Sequence, residues 1–297
     1  MSFVRKLYYT LQSIADHPLN RRSKFKAVAD FCLAQVASRL VAGDVCVPFP
    51  NGAALLISPK MKGAAHFISP GLCEFDEMAF VTHFLRPSDL FVDVGANVGA
   101  YTVLAGAVAG AKAIAFEPSP AVFPYLKRNV LLNELQERVK PINAAAGRSP
   151  GRLRMTQGLG TENHISPAGT AGNDVEVEAA TLDTVLAGES PALFKVDVEG
   201  FESEAIAGAW ASLKKPSVQA LIIERSGIGV RYGFDETALH RQIRTEGFIP
   251  CAYSGLERSL VQVSAEAQGN IIYVRDLAAV QKRVKEARPF TFGAATI

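Results

Sequence analysis

Phe91-Val-Asp-Val-Gly-Ala-Asn-Val-Gly-Ala-Tyr-Thr102 is the stretch that decides how this chain of 297 residues folds. An apolar run ends in an acid, Asp93, and two glycines, Gly95 and Gly99, follow it. The run reads as a buried strand and the glycines as a turn opening a helix. Open α/β sheets bind ligands at the carboxyl ends of such strands, where glycine lets a ligand approach the backbone. Asn97 and Ala100 break the G-x-G-x-x-G pattern. A dinucleotide pyrophosphate is therefore disfavoured, and an acid before the turn suits a ligand with a cationic end, an amino group or a sulfonium.

Working outward, Ala113-Ile-Ala-Phe-Glu-Pro-Ser-Pro120 repeats the arrangement, an apolar strand ending in Glu117, 24 positions after Asp93. An acid there can accept both hydroxyls of an adenosine ribose; the plain alternative is an acid favoured by a helix dipole. Leu193-Phe-Lys-Val-Asp-Val-Glu-Gly-Phe-Glu202 is a third strand with charges where core is expected. In a doubly wound sheet its end falls beside the first motif, which favours a functional role for Asp197. Glu202 and Glu204 can simply favour the start of the following helix.

Further strands are expected at Leu90–Val94, Val139–Ile142, Val218–Ile223, Phe248–Cys251 and Asn270–Val274, with helical patterns at Ala121–Leu132, Glu202–Leu213 and Glu236–Glu246. The last follows Asp235 as N-cap and precedes Gly247. Alternating strands and helices predict a mostly parallel, doubly wound α/β sheet. Pro141 predicts an edge position for its strand, and Pro124 a late start or a bend in its helix. Gly151–Asn173 reads as an irregular, glycine-rich loop.

Before this core, residues 1–70 read as an appended cap and residues 71–297 as the main domain. Lys24–Leu40 places Phe25, Val28, Phe31, Cys32, Gln35, Val36 and Leu40 near helical spacing. Val45–Pro50 and Ala53–Ser58 flank Asn51-Gly52, a hairpin signal, and a helix follows from about Glu74 to Leu85. Arg5, Lys6, Arg21, Arg22, Lys24, Lys26 and Arg39 outnumber Asp16, Asp30 and Asp44 in the first 45 residues. That surplus suits a membrane surface or an acidic partner, although a solvated helix docked on the main domain is the plainer reading. The whole chain carries only +2, which gives no reason to expect nucleic acid. Cys32, Cys46, Cys73 and Cys251 form no C-x-x-C pair, so a disulfide framework or zinc knuckle is not indicated and a reducing, cytoplasmic setting fits. Val94–Ala111 carries no charge, but its glycines and Asn97 weaken a membrane-spanning helix, and no secretory pattern precedes it.

The pieces DVGANVGAYT at 93–102, EPSP at 117–120, LKRNVLLN at 126–133, TLD at 181–183, FKVDVEGFE at 194–202 and IIE at 222–224 together resemble the FkbM family of S-adenosylmethionine-dependent methyltransferases. The resemblance runs from about Glu74 to Val274. It implies a class I methyltransferase sheet of seven strands, ordered 3-2-1-4-5-7-6 with the seventh antiparallel. It implies S-adenosylmethionine as cofactor, held by Asp93, Gly95, Asn97, Gly99, Glu117, Pro118, Asn143 and Asp197. The acceptor it implies is a hydroxyl on a sugar, glycan or secondary metabolite.

An alcohol is a weak nucleophile at neutral pH and is helped by a base. Asp197 is the first candidate, with His164 in the 151–173 loop and Glu224 at a strand end as further catalytic candidates; His17, His66, His83 and His240 lie outside the motifs. Asp197, Glu199 and Glu224 could hold a divalent cation, but they lack a metal-specific spacing and no metal is expected. A nucleotide-dependent oxidoreductase or epimerase, disfavoured by the absent G-x-G-x-x-G and Tyr-x-x-x-Lys, and a non-catalytic cofactor-binding domain are the other readings. A homodimer is left open.

Overall fold

In a computed structural model of the chain, the structure describes residues 10–12, 14–20, 24–40, 43–59, 61, 72–167, 169, 172–264, 266–292 and 295–297. The readings placed on Arg5, Lys6, Arg21, Arg22 and His66 lie outside these residues.

Eight strands make the central sheet. They are β3 (Leu90–Val94), β4 (Lys112–Phe116), β5 (Val139–Ile142), β9 (Pro191–Val196), β10 (Ala220–Arg225), β11 (Ile249–Ser254), β12 (Ser259–Gln262) and β13 (Gly269–Val274). Their order is β12-β11-β13-β10-β9-β3-β4-β5. β3, β4, β5, β9 and β10 run parallel, and β13 is antiparallel to both β10 and β11. β12 is one strand more than the resemblance implies. β5 lies at an edge, where Pro141 removes no needed ladder donor.

Along β3, alternate residues serve opposite faces. Phe91 joins one core with α2 (Phe75–Phe84), α3 (Ala100–Val103, continued by a π turn to Val108) and α4 (Phe123–Leu132). Val92 and Val94 join a second core with α5 (Glu202–Ala207) and α6 (Glu236–Thr245). The sheet is therefore covered on both faces, which is what near-continuous apolar strands require. The uncharged run from Val94 to Ala111 resolves into the end of β3, a turn and the buried helical turns of α3. Among the described residues, no helix is long and apolar enough to cross a membrane.

Local signals place most helices. The Asp235 carboxylate accepts the Ala238 N–H at 3.0 Å, and Gly247 takes a left-handed conformation just past α6. Pro124 sits in the first turn of α4, where its missing N–H has no partner to lose. The helix expected over Glu202–Leu213 is instead broken: α5 stops at Ala207 and a separate turn runs from Trp210 to Leu213. At the break the Gly208 carbonyl accepts the Asp183 N–H at 2.8 Å.

Two expectations about surface segments hold only in part. Gly151–Asn173 is not wholly irregular, because Gly151–Thr156 is strand β7, paired antiparallel with β8 (Asp174–Ala180) in a small separate sheet. Its inward residues are only Leu153 and Met155, while Arg152 and Arg154 reach Glu178, Glu176 and Asp174 across the pair. The alternation Arg152-Leu153-Arg154-Met155 is that of a short strand with one charged face. The helix Lys24–Leu40 (α1) forms, and Val28 and Phe31 of the face read as apolar are packed, but the rest of that face is not the buried one where it is described. Ala27 and Phe31 pack with Ile14, whereas Phe25 is 95% exposed and Cys32 and Val36 also face outward.

The hairpin β1 (Val45–Pro48) and β2 (Ala54–Ile57) docks on α4 by an unusual device. Asn129 and Asn133, one turn apart, replace a neighbouring strand. The Asn129 amide donates to the Leu56 carbonyl at 3.0 Å and accepts its N–H at 2.6 Å. Asn133 treats Ala54 the same way, at 2.8 and 2.9 Å. Asn129 is fully buried and also donates to the Val98 carbonyl, so it ties the hairpin to the glycine turn. Asn129→Ala leaves these backbone groups unsatisfied and should destabilise the fold by roughly 1–3 kcal/mol; urea unfolding would read it, and an unchanged midpoint would show that the clamp contributes nothing.

Candidate active site

One cavity of about 380 Å³ opens at the carboxyl ends of β3, β4, β9 and β10. The turn residues Gly95, Ala96 and Asn97, then Glu117 and Pro118, line one end. Glu74, Tyr101, Lys195 and Asp197 line its floor, and Glu162, His164, Glu199 and Glu224 approach from the far side.

The turn after β3 is shaped by its neighbours before any ligand. Gly95 has φ +83°, and a Cβ there would stand 1.8 Å from the Asp197 carbonyl oxygen. The glycine is needed because β9 passes so closely, a reason absent from the local sequence. Asn97 also has a left-handed backbone, φ +56°, and its side chain accepts the Val98 N–H at 2.8 Å.

Glu117 is 6% exposed, and its two carboxylate oxygens accept the backbone N–H groups of Asn97 and Ser119 at 2.9 and 2.8 Å. Burial pushes its carboxyl up to about 7, against the pull of those two donors. Asn143 does not line the cavity. Its amide donates to the Glu117 and Pro118 carbonyls, at 2.8 and 3.1 Å, and so orients the segment that does.

Asp93 and Gly99 also stand outside the cavity lining. Asp93 lies beneath the turn, 1% exposed, and one carboxylate oxygen accepts the Thr102 hydroxyl at 2.6 Å. Its other oxygen is buried with no hydrogen-bond partner, and burial raises the carboxyl to about 6. Gly99 begins α3 against the Leu126 side chain.

Lys195 pairs in register with Asp93 across β3 and β9, so both side chains share one face of the sheet. Its ammonium is buried, donates to Asp197 at 2.7 Å and stands 4.5 Å from the centre of the Tyr101 ring. Burial works against its charge, but Asp197, Glu74 and Asp93 outweigh this and raise its pKa. The Tyr101 hydroxyl donates to Glu74 at 2.6 Å, and the other Glu74 oxygen accepts from Asn270 at 2.7 Å. Lys195, Tyr101 and Glu74 were missed as site residues by the motif reading. The lysine interrupting an apolar strand was the available signal; nothing local marks Glu74, which comes from the chain ahead of α2.

Glu224 continues β10 one residue beyond the Ile223–Val196 pair, which brings it beside Asp197. Its Oε2 is buried with no hydrogen-bond partner. Burial first, then Asp197, Glu202 and Glu199, raise its carboxyl to about 8. Arg225, the next residue, donates instead to Thr237 at 3.0 Å. His164 lines the cavity from the loop after β7, its ring nitrogen 3.1 Å from the Glu162 carbonyl. That loop is held in place by Tyr232, whose hydroxyl donates to the Ile165 carbonyl at 2.6 Å and whose ring packs between Phe201 and Phe234. Glu202 stays out of the cavity and accepts the Val198 and Gly200 N–H groups. His83 and His240 are buried against the hydroxyls of Tyr253 and Tyr273, away from the cavity.

Parts of the chain are similar to known proteins. Residues 93–249, just over half of the chain, match the methyltransferase FkbM domain. A 72-residue segment is 38% identical to methyltransferase sdnD of Sordaria araneosa, covering 24% of this chain and 28% of that protein. A 110-residue segment is 33% identical to the 31-O-demethyl-FK506 methyltransferase FkbM of Streptomyces tacrolimicus, covering 36% of this chain and 40% of that one. The matches thus span well under half of those relatives. Among solved structures, a methyltransferase FkbM from Methylobacillus flagellatus KT aligns over 84% of this chain and 60% of its own, with 15% identity and a TM-score of 0.45. With the domain match reaching from the acid that ends β3 to the start of β11, the chain belongs to the FkbM family of S-adenosylmethionine-dependent methyltransferases.

Proposed function

We propose that this chain transfers a methyl group from S-adenosylmethionine to a hydroxyl of a sugar, glycan or other small metabolite. The observation that carries the reading is the cavity itself, with Glu117 at one end and the Glu224 carboxyl, one oxygen unpartnered, at the other.

The residues fit such a cofactor. Each Glu117 oxygen is used once by a backbone donor and keeps acceptor capacity for a ribose hydroxyl. The wall between Glu117 and Glu224 carries Asp197, Glu74 and Glu199 against one ammonium, Lys195, a balance that favours a cationic ligand. S-adenosylmethionine supplies a methyl group already activated on a sulfonium. What remains for the protein is alignment and the proton. The turn at Gly95–Asn97 and the Glu117 carboxylate orient the donor end. With the cofactor bound, the acceptor hydroxyl would give up its proton to a base on this chain. Asp197 is committed to the Lys195 ammonium, and Glu224 beside it, with one oxygen unpartnered, receives that proton. Its raised pKa makes it a stronger base than an ordinary carboxylate. The loop carrying His164, held by Tyr232, forms part of the cavity wall.

Titration calorimetry with S-adenosylhomocysteine and with NAD tests the cofactor directly. Binding of the first and not the second is expected; tight NAD binding alone would replace this reading with an oxidoreductase. Glu117→Ala should weaken S-adenosylhomocysteine binding by about 1–3 kcal/mol, through loss of charge-assisted hydrogen bonds. Unchanged affinity would show that the ribose does not lie at Glu117.

A further inference from the structure

The arrangement under the glycine turn contains more charge than cofactor contact alone requires. Asp93 and Asp197 approach Lys195 from the same face of the sheet, one on β3 and one just past β9. Tyr101 closes over the ammonium, and Glu74 is tied to Tyr101 and to Asn270. The anchoring groups thus come from the segment before α2, from α3 and from β13, three elements distant in sequence. A buried lysine with one carboxylate partner would not need this framework.

We infer that Lys195 is a positioning residue, an internal counter-ion shared by Asp93 and Asp197, which Tyr101 and Glu74 hold in place so that Asp197 meets the cofactor as a fixed negative charge. This rests on the cofactor reading above. Without the ammonium, two carboxylates on adjacent strands face each other at low dielectric. Two such groups do not both stay ionised; one proton is taken up between them. The other titratable groups facing Lys195 only add to that tendency. Cys73, Glu74 and Glu77 come from the α2 side, Glu199 from the turn after β9 and Glu224 from β10, and each is neutral or anionic. Burial already raises Asp93 to about 6 with the ammonium present. Lys195 pulls that value down, so removing it moves Asp93 further up. A pair that shares one proton keeps a single negative charge no longer fixed on Asp197, and it attracts the cofactor's amino group less than the fully ionised pair does, so the affinity lost through the variant returns as pH rises.

The test is calorimetric titration of S-adenosylhomocysteine from pH 6.5 to 8.5, each pH in two buffers of different ionisation enthalpy so that protons exchanged on binding are counted. For the native protein a shallow pH dependence and almost no proton exchange are expected. Lys195→Met should bind roughly tenfold more weakly at pH 6.5, recover severalfold by pH 8.5, and release close to one proton on binding at the lower pH. Lys195→Arg should restore most of the affinity and abolish the proton release. Tyr101→Phe frees Glu74 without touching the lysine, and should show a smaller change in the same direction; it keeps the test open should Lys195→Met not fold. A parallel loss at every pH with no proton exchange would mean that Lys195 only fills space, and would overturn the inference, as would unchanged binding in both Lys195→Met and Tyr101→Phe. Failure of the native protein to bind S-adenosylhomocysteine at all would instead overturn the cofactor reading.

Discussion

Glu224→Gln is expected to lower methyl transfer by about 10²–10⁴-fold, the range in which loss of a positioned general base falls, while leaving S-adenosylhomocysteine affinity within about threefold. The substitution keeps the shape and removes the proton acceptor. The pH dependence carries the sign. Burial and the neighbouring carboxylates hold the Glu224 carboxyl at about 8, so below that pH the acid form predominates and cannot receive a proton. Native activity should therefore rise with pH and level off above about 8, and the variant should lose that rise. Transfer of a labelled methyl group to a hydroxylated acceptor, followed from pH 6 to 9, reads both features. A variant that retains full turnover would remove Glu224 as the base. If Asp197→Asn alone abolished turnover, with the native pH rise retained in Glu224→Gln, the proton would be assigned to Asp197.

Gly95→Ala is expected to be the most damaging single methyl group that can be added near the site. Two penalties coincide. The backbone at φ +83° is strained for any residue with a Cβ, and the new carbon would overlap the Asp197 carbonyl oxygen at 1.8 Å. The overlap is with backbone, in the middle of a parallel sheet, so neither strand end can yield without opening the β3–β9 register. Roughly 2–4 kcal/mol of lost stability follows, together with loss of cofactor affinity, because Ala96, Asn97 and Asp197 all move. Urea unfolding alongside calorimetry separates the two effects. A near-native unfolding midpoint would mean that β3 and β9 are not packed this closely at their ends.

Much of the fold could be read in advance because its signals are local. The apolar strands, the Asp235 cap, the Asn51-Gly52 turn and the edge position of Pro141 each depend on a few adjacent residues. The β7–β8 pair was missed although both strands alternate, Leu153 and Met155 between arginines and Val175 and Val177 between acids. The periods are short and lie among glycines, and the ion pairs of Arg152 with Glu176 and Glu178 form only across the paired strands. The face of α1 was read only in part, Val28 and Phe31 correctly and Phe25, Cys32 and Val36 not, because both sides of that helix carry apolar residues and its packing on Ile14 decides which is buried.

The site divides along the same line. The residue types and their order along the chain determined that acids end β3, β4, β9 and β10, and that ligand chemistry belongs at that edge of the sheet. Which of those acids reach the cavity was decided only by tertiary structure. Asp93, the most conspicuous of them in the sequence, is covered by the turn and bonded to Thr102. Asp197 is taken by Lys195, whereas one Glu224 oxygen is left without a partner. Charge and hydrogen-bonding capacity are properties of single residues, so a sequence displays them. Burial, and the partner that satisfies each group, depend on chain segments nearly two hundred positions apart, such as Glu74 and Asn270, and exist only once the sheet has closed around them.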